Sequence, residues 1–456
     1  LNILLMNLSK YIIILSLANI ICLREKLKIV NTAKDLFPEE DTPNVIFVFS
    51  HMKHGASSPC YGLNDYYADI FEQQWKGYCE LTNKGFLQLF KLGKIFKQRY
   101  DQLLNISYDP DINKILSYAS KENKTLMSSN ALLYGMFYNN KKPKEEQIVV
   151  PTRNFKKIED YDLIPIFYFS DINNCKGWKN QVNKQNLNEI KELNDFISRF
   201  VYNYGNVFNI FKFKQPITKI DNWFDKINLF CTSFISNYYD ERHKKIDMFE
   251  ELKYSEEQFY DLYYDCNTFN LYKYIYIQYN GESKKIPPLI LSDLLGDMFN
   301  YMDLAINGTD KDTPKFLSYM GHDSTIAAMQ VILNQLFSVP YKLMPFGSNQ
   351  IFLLFKKDNK YEIQYFYNDK FLLKMDYNEF KNSIQTLIES NKNDLIYFCR
   401  GFQIKDYTII VLISTILALI IANISICLYH RNIFCDKKKY MSIEPTGKSV
   451  EIKNEV

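Results

Sequence analysis

Arginine is scarce in this chain: Arg24, Arg99, Arg153, Arg199, Arg242, Arg400 and Arg431 stand against 48 lysines. Any cluster of cations must therefore be built mainly from point-like ammonium groups rather than planar guanidinium forks. A field of one sign is missing too, because 55 basic and 52 acidic residues leave a formal net charge of only +3. Nucleic acid is thus not an expected partner. No CxxC pair and no HExxH segment occurs, so the usual spacings of a zinc site are lacking and no cofactor is called for. No internal repeat is visible, and composition shifts strongly only at the two ends. With 47% hydrophobic residues in 456, the chain can bury one large core or two ordinary ones.

The ends carry their own signals. Lys10 precedes an apolar run from Tyr11 to Leu17, with small and apolar residues around Ala18 and Cys22; residues 1–22 read as a secretory signal peptide. Tyr407 to Tyr429 contains no formally charged side chain and has the length to span a bilayer as a helix. His430, Arg431 and Lys437 to Lys439 follow directly. The positive-inside bias then places residues 430–456 in the cytosol and residues 23–404 in a lumen or outside the cell, a type I arrangement. Tyr440-Met441-Ser442-Ile443 resembles a tyrosine-based sorting signal, which makes sorting machinery a candidate partner. Cys60, Cys79, Cys175, Cys231, Cys266 and Cys399 lie before the membrane segment, enough for three disulfides in any of fifteen pairings. Asn105, Asn123 and Asn307 sit in N-x-S/T sequons, compatible with a secretory route.

Between the ends, three stretches share one layout. Asn44 to Ser50 is a continuous β-rich apolar run, the pattern of a strand buried on both faces, and Lys114 to Tyr118 and Lys315 to Tyr319 are shorter versions. A polar loop and a helix-like segment follow each, around Leu81 to Tyr100, Ser128 to Phe137 and Ser324 to Leu336. The repetition predicts an α/β fold with a mostly parallel sheet flanked by helices. Gln350 to Phe355 and Tyr361 to Tyr367, separated by a turn around Asp358 and Asn359, predict an antiparallel hairpin added to that sheet. Pro151 to Pro288 has mainly helical periodicity and reads as an inserted α subdomain.

Ligands of open α/β sheets bind beyond the carboxyl ends of the strands, so the residues following each strand matter most. They are His51 to Pro59, Lys121 to Thr125 and Gly321 to Thr325. Two His, two Lys and one Asp would converge there. Cations to hold a dianion, an imidazole to attack phosphorus and an acid to protonate an alkoxide suit a phosphate monoester. His51 could add charge at the strand end, and His243 lies in a charged run that reads as a solvated face.

Lys53 to Pro59 resembles the RHGxRxP signature of histidine acid phosphatases, and Gly321 to Thr325 is similar to that family's HD motif. Trp75-x-Gly77, Glu80-Leu81-Thr82, Gly85, Gln88, Leu92-Gly93 and Arg99-Tyr100 resemble the helix after the signature; Lys124 to Ser128 resembles an R-T-x-x-S segment. The likeness runs in order from about Asn44 to Cys399. It implies a phosphoglycerate-mutase-like fold, with His54 as nucleophile, Asp323 as proton donor, and His322 among the phosphate ligands. The family's three phosphate-binding arginines are replaced by Lys53, Ser57 and Lys124. Lys keeps charge without the fork, whereas Ser57 loses the charge. Acid phosphatase activity, weakened by these replacements, in a lysosome-like compartment or at the cell surface is the expectation; the alternative is a catalytically weak or inactive phosphatase-like membrane receptor or binding protein.

Overall fold

The computed structural model describes residues 44–59, 77, 79–104, 112–139, 153–154, 190–210, 223–241, 252–279, 284–308, 313–358, 360–400, 411–426 and 428–429. A seven-stranded sheet organises them, in the order β3-β2-β4-β1-β5-β6-β7. Its strands are β1 (Val45–Lys53), β2 (Ile115–Ala119), β3 (Arg153–Asn154), β4 (Phe316–Gly321), β5 (Asn349–Lys357), β6 (Lys360–Tyr367) and β7 (Lys370–Asp376). β1 to β4 pair in parallel, whereas β5, β6 and β7 continue from β1 as an antiparallel meander.

The apolar runs behave as strands because alternate residues serve two different cores. Phe47 and Phe49 of β1 join Leu317, Tyr319, Phe352 and Leu354 on one face. Val48 and Met52 join Phe316, Met320, Ile351 and Leu353 on the other. Helices α1 (Asn83–Leu104) and α2 (Asn123–Phe137) cover this second face. They approach closely at Gly93 and Gly135: a Cβ on Gly93 would run into Leu132 O, and one on Gly135 into Phe90 O. Helices α7 (Ser292–Asn307), α8 (Asp323–Phe337) and α9 (Tyr377–Arg400) cover the first face.

A separate aromatic core forms among α3 (Lys191–Ile210), α4 (Trp223–Tyr239) and α5 (Glu256–Tyr272). Cys231 of α4 and Cys266 of α5 are joined by a disulfide, one of the pairings that spacing left open. Cys79 is disulfide-bonded as well. A π-helical turn, Lys273–Gln278, continues α5, and the short α6 (Pro287–Ile290) follows before α7.

Several expectations need adjustment. The two-residue β3 lies within the stretch read as mainly helical; a strand so short has no apolar periodicity to announce it. β7 is largely exposed at the sheet edge, so it lacks the buried run of the inner strands. α2 begins at Asn123 rather than near Ser128, which moves Lys124 from a loop into the first helical turn. The proposed turn at Asp358 is present, with a left-handed φ of 46°. Tyr407 to Tyr429 is only partly described: residues 411–426 are helical and exposed. Among the described residues, no helix is long and apolar enough to cross a membrane. The segment read as a signal peptide, His243 and Tyr440 lie outside the described residues.

Candidate active site

The parallel register puts three strand ends side by side. Lys53 of β1 is level with Gly321 of β4, and Ala119 of β2 with Met320. The chain stays bonded across the crevice just beyond them, through His54 N to Gly321 O (3.1 Å), Ser120 N to Met320 O (3.1 Å) and Gly347 N to His54 O (3.0 Å). Lys53, His54, Ser57, Lys124, His322 and Asp323 therefore line one cavity of about 190 Å³. All six residues anticipated from the sequence are brought together. α2 and α8 both begin at this cavity, so their free N–H groups favour an anion there.

His54 is buried, and its Nδ1 faces Gly55 O at 2.8 Å. A carbonyl only accepts, so Nδ1 carries the proton and Nε2 is left with a lone pair. Burial, reinforced by the charges of Lys124, His322 and Lys53, pushes His54 well below the usual histidine range. The ring accordingly stays a neutral base into acidic solution. Gly55 N donates to Ser128 Oγ (3.0 Å), which fixes the turn that presents His54. A Cβ at Gly55 would collide with Gly85 O and the Leu89 side chain, so a residue without a side chain is required between β1 and α1.

Lys53 and Lys124 each have a carboxylate partner. Lys53 Nζ lies 2.6 Å from Asp323 Oδ1, donates to Met344 O at 2.8 Å and sits 4.7 Å from the centre of the Phe346 ring. Lys124 Nζ lies 3.0 Å from Glu122 Oε2. Glu122 Oε1 is also 3.5 Å from His322 Nε2, which in turn meets Ser120 Oγ at 2.9 Å. Burial dominates at His322 and depresses it, with Glu122 pulling the other way. For Asp323, burial raises the carboxyl, but the Lys53 charge and hydrogen bonds from Lys53 and Asn270 outweigh it and hold Asp323 low. Asn270 Nδ2 donates to Asp323 Oδ2 at 2.6 Å. Asp323 is the first residue of α8 and His322 its N-cap; the carboxylate turns to Lys53 and Asn270 instead of capping the helix.

The sequence reading missed the opposite wall. Asn228, Thr232 and Ser236 of α4, with Asn270, Lys273 and Tyr274 from α5 and its π-helical extension, also line the cavity. The helical spacing of Asn228, Thr232 and Ser236 was legible, but nothing local distinguishes a face turned to a site from one turned to water. Glu122 stands within a segment already singled out, yet its role as a bridge depends on His322, distant in sequence.

His51 does not line the cavity. It is fully buried, with Nε2 3.1 Å from Thr325 Oγ1, and links β1 to α8. Burial lowers it to about 4, against a weaker upward effect from a Gln350 hydrogen bond. The unfolded chain would bind a proton near pH 6.5. The sign follows: this stability is present above pH 6.5 and is lost as pH falls toward 4, amounting to about 3 kcal/mol. Urea unfolding of His51→Gln between pH 7 and 4 should show a shallower loss than the wild type; equal slopes would contradict the assignment.

Residues 25–368 match the family described as the histidine phosphatase superfamily (branch 2). Lysosomal acid phosphatase from Rattus norvegicus is 25% identical over 350 residues, covering 73% of this chain and 73% of that protein. Its Xenopus laevis counterpart is 25% identical over 334 residues, covering 71% and 69% respectively. Among solved structures, the phytase from Citrobacter braakii superposes with a TM-score of 0.50 at 13% identity, over 76% of this chain and 97% of that one; that likeness speaks to the fold alone. Because that match runs over most of its length, the chain belongs to branch 2 of the histidine phosphatase superfamily.

Proposed function

We propose that this protein hydrolyses phosphate monoesters at acidic pH through a phosphohistidine on His54. The observation that carries the reading is the neutral His54 ring at the cavity, its Nδ1 proton committed to Gly55 O. Nε2 attacks phosphorus as the bond to the ester oxygen breaks, and Asp323 gives its proton to that oxygen. Water then attacks phosphorus, the P–N bond breaks, Asp323 takes the water's proton, and inorganic phosphate leaves. Lys53, Lys124 and His322 hold the equatorial oxygens, whose charge is stabilised by donors already in place. Ser57 lines the same cavity but brings no charge.

In the empty site, Asp323 is paired with Lys53 and ionised, the wrong state for a proton donor. A phosphate dianion competes for Lys53 and leaves Asp323 buried beside negative charge, which raises its proton affinity. Proton donation is thus switched on by substrate. The same ion pair supports a second reading, a phosphate-binding receptor whose Asp323 never becomes protonated. Alkaline quenching during turnover of a ³²P-labelled monoester separates the two. The enzyme reading expects label on the peptide spanning residues 51–59, labile to acid and stable to base. Bound phosphate with neither label nor turnover would establish the receptor instead.

The lysosomal relatives fit a secretory route, and we place residues 407–429 across a membrane with the tail beyond Arg431 in the cytosol. The described part of that stretch exposes Leu412, Leu417, Leu419 and Ile421, side chains that protein does not cover. Protease added to sealed vesicles should remove only the tail; digestion of the phosphatase domain with a protected tail would reverse the orientation. Asn123 and Asn307 are exposed, consistent with, and proposed for, glycosylation.

A further inference from the structure

We propose that Lys273 supplies the third cation for the transferring phosphoryl group, compensating from the helical wall for the guanidinium absent at Ser57. The inference deepens the phosphatase reading and rests on it. The charges around the cavity nearly cancel. Lys53 is neutralised by Asp323 at 2.6 Å and Lys124 by Glu122 at 3.0 Å. His54 and His322 are held neutral chiefly by burial. Those groups together offer an arriving dianion little net positive charge, and a buried dianion without net compensation is costly.

Lys273 is the cavity cation that breaks this balance. It lines the cavity with Ser57, His54 and Asp323. Among the described residues no carboxylate lies within ion-pair distance of it, and its recorded neighbour is the Tyr274 ring, 5.5 Å from Nζ. It is half-buried, as fits a group that lines a cavity from within the wall. Burial lowers its proton affinity, with Asp323 acting in the opposite sense; a bound dianion favours the ammonium form further.

The local backbone explains how it is placed. Lys273 is the first residue of the π-helical turn Lys273–Gln278 that extends α5. Such turns rotate the residues after them relative to a regular helix and recur at functional sites. Asn270, on the last turn of α5, is tied to Asp323 by the 2.6 Å hydrogen bond. That bond anchors the helix end against the sheet-borne residues, one turn from Lys273. The cation lost from the signature turn has thus been regained from the opposite wall, as a flexible ammonium in place of a fork.

The test compares full-length wild type with Lys273→Met, Lys273→Gln and Lys273→Arg, using inorganic phosphate as competitive inhibitor and nitrophenyl phosphate as substrate. Both neutral variants should bind phosphate about 10- to 100-fold more weakly and lose kcat/KM to a similar extent, while the Arg variant keeps most of both. Ser57→Arg added to Lys273→Met should restore part of the phosphate affinity, because the charge returns from the other side. If wild type forms the phosphohistidine and both neutral variants bind phosphate as tightly as it does, the proposal is wrong. A loss confined to substrates with an anionic leaving group, with phosphate inhibition unchanged, would also overturn it, by assigning Lys273 to the leaving group. Failure of wild type itself to label or to bind phosphate would instead remove the phosphatase reading beneath it.

Discussion

His54→Ala abolishes the covalent phosphate and lowers monoester turnover by about 10⁴-fold or more, the loss expected when a nucleophile is removed from a site whose other groups act only together with it. The effect is large because His54 combines a free Nε2 lone pair with a depressed proton affinity in acidic solution. His322 is also kept neutral by burial, but its Nε2 is engaged with Ser120 and Glu122. The variant should remain folded. The His54 ring packs 5.5 Å from the His322 ring and 5.7 Å from Phe346, at the edge of a cavity rather than inside the main core. Backbone bonds to Gly321 and Gly347 are retained whatever the side chain. Phosphate affinity should fall far less than turnover, since neutral His54 contributes attack more than charge. Measured together, label, turnover and phosphate inhibition decide the point: label persisting on the variant would place the nucleophile elsewhere.

Asp323→Asn gives the second large effect, and it depends on the leaving group. An alkyl phosphate must expel a strongly basic alkoxide, so loss of the proton donor should slow it by about 10²- to 10⁴-fold. Nitrophenyl phosphate leaves with little need of a proton and should lose much less. Asn is the informative replacement because its amide oxygen can still accept from Asn270, and its shape is preserved. Replacement by either Asn or Ala leaves Lys53 a buried charge without its anionic partner, at about 3–5 kcal/mol of stability, and Ala would in addition leave Asn270 without its acceptor. Asn also removes the negative charge that neutralises Lys53, so phosphate should bind the variant at least as tightly as it binds wild type. Equal slowing of both substrates would show that Asp323 serves only to hold Lys53 and α8 in place.

Most of the sheet and of its catalytic edge was legible because the information is local. Buried strands declare themselves as apolar runs, and the first of them ends directly in Lys53-His54-Gly55. An HD pair opening a helix and the Lys124-Thr125 segment behave likewise: the residues of the candidate site are fastened to the ends of elements that periodicity can locate. Where the elements were short or exposed, the signal failed. β3 has two residues, and β7 alternates at a half-open edge. The start of α2 was displaced because Glu122 at its N-cap makes no side-chain cap; its carboxylate serves Lys124 and His322 instead.

Residue types and their order alone determined the groups available to this protein: two imidazoles, a carboxyl group and lysines in place of guanidinium forks. Those identities are covalent facts, and strand periodicity carries them to the same sheet edge. Tertiary structure alone decided how the charges are distributed. It paired Lys53 with Asp323 across the β1–α8 junction, gave Glu122 to Lys124 and His322, and set Lys273 and the polar face of α4 opposite them. It also sent His51, three residues from His54, into the core. Ion pairing and burial fall off over a few ångströms of space, and residues separated by more than two hundred positions become neighbours only when the sheet and its helical wall close on the same cavity.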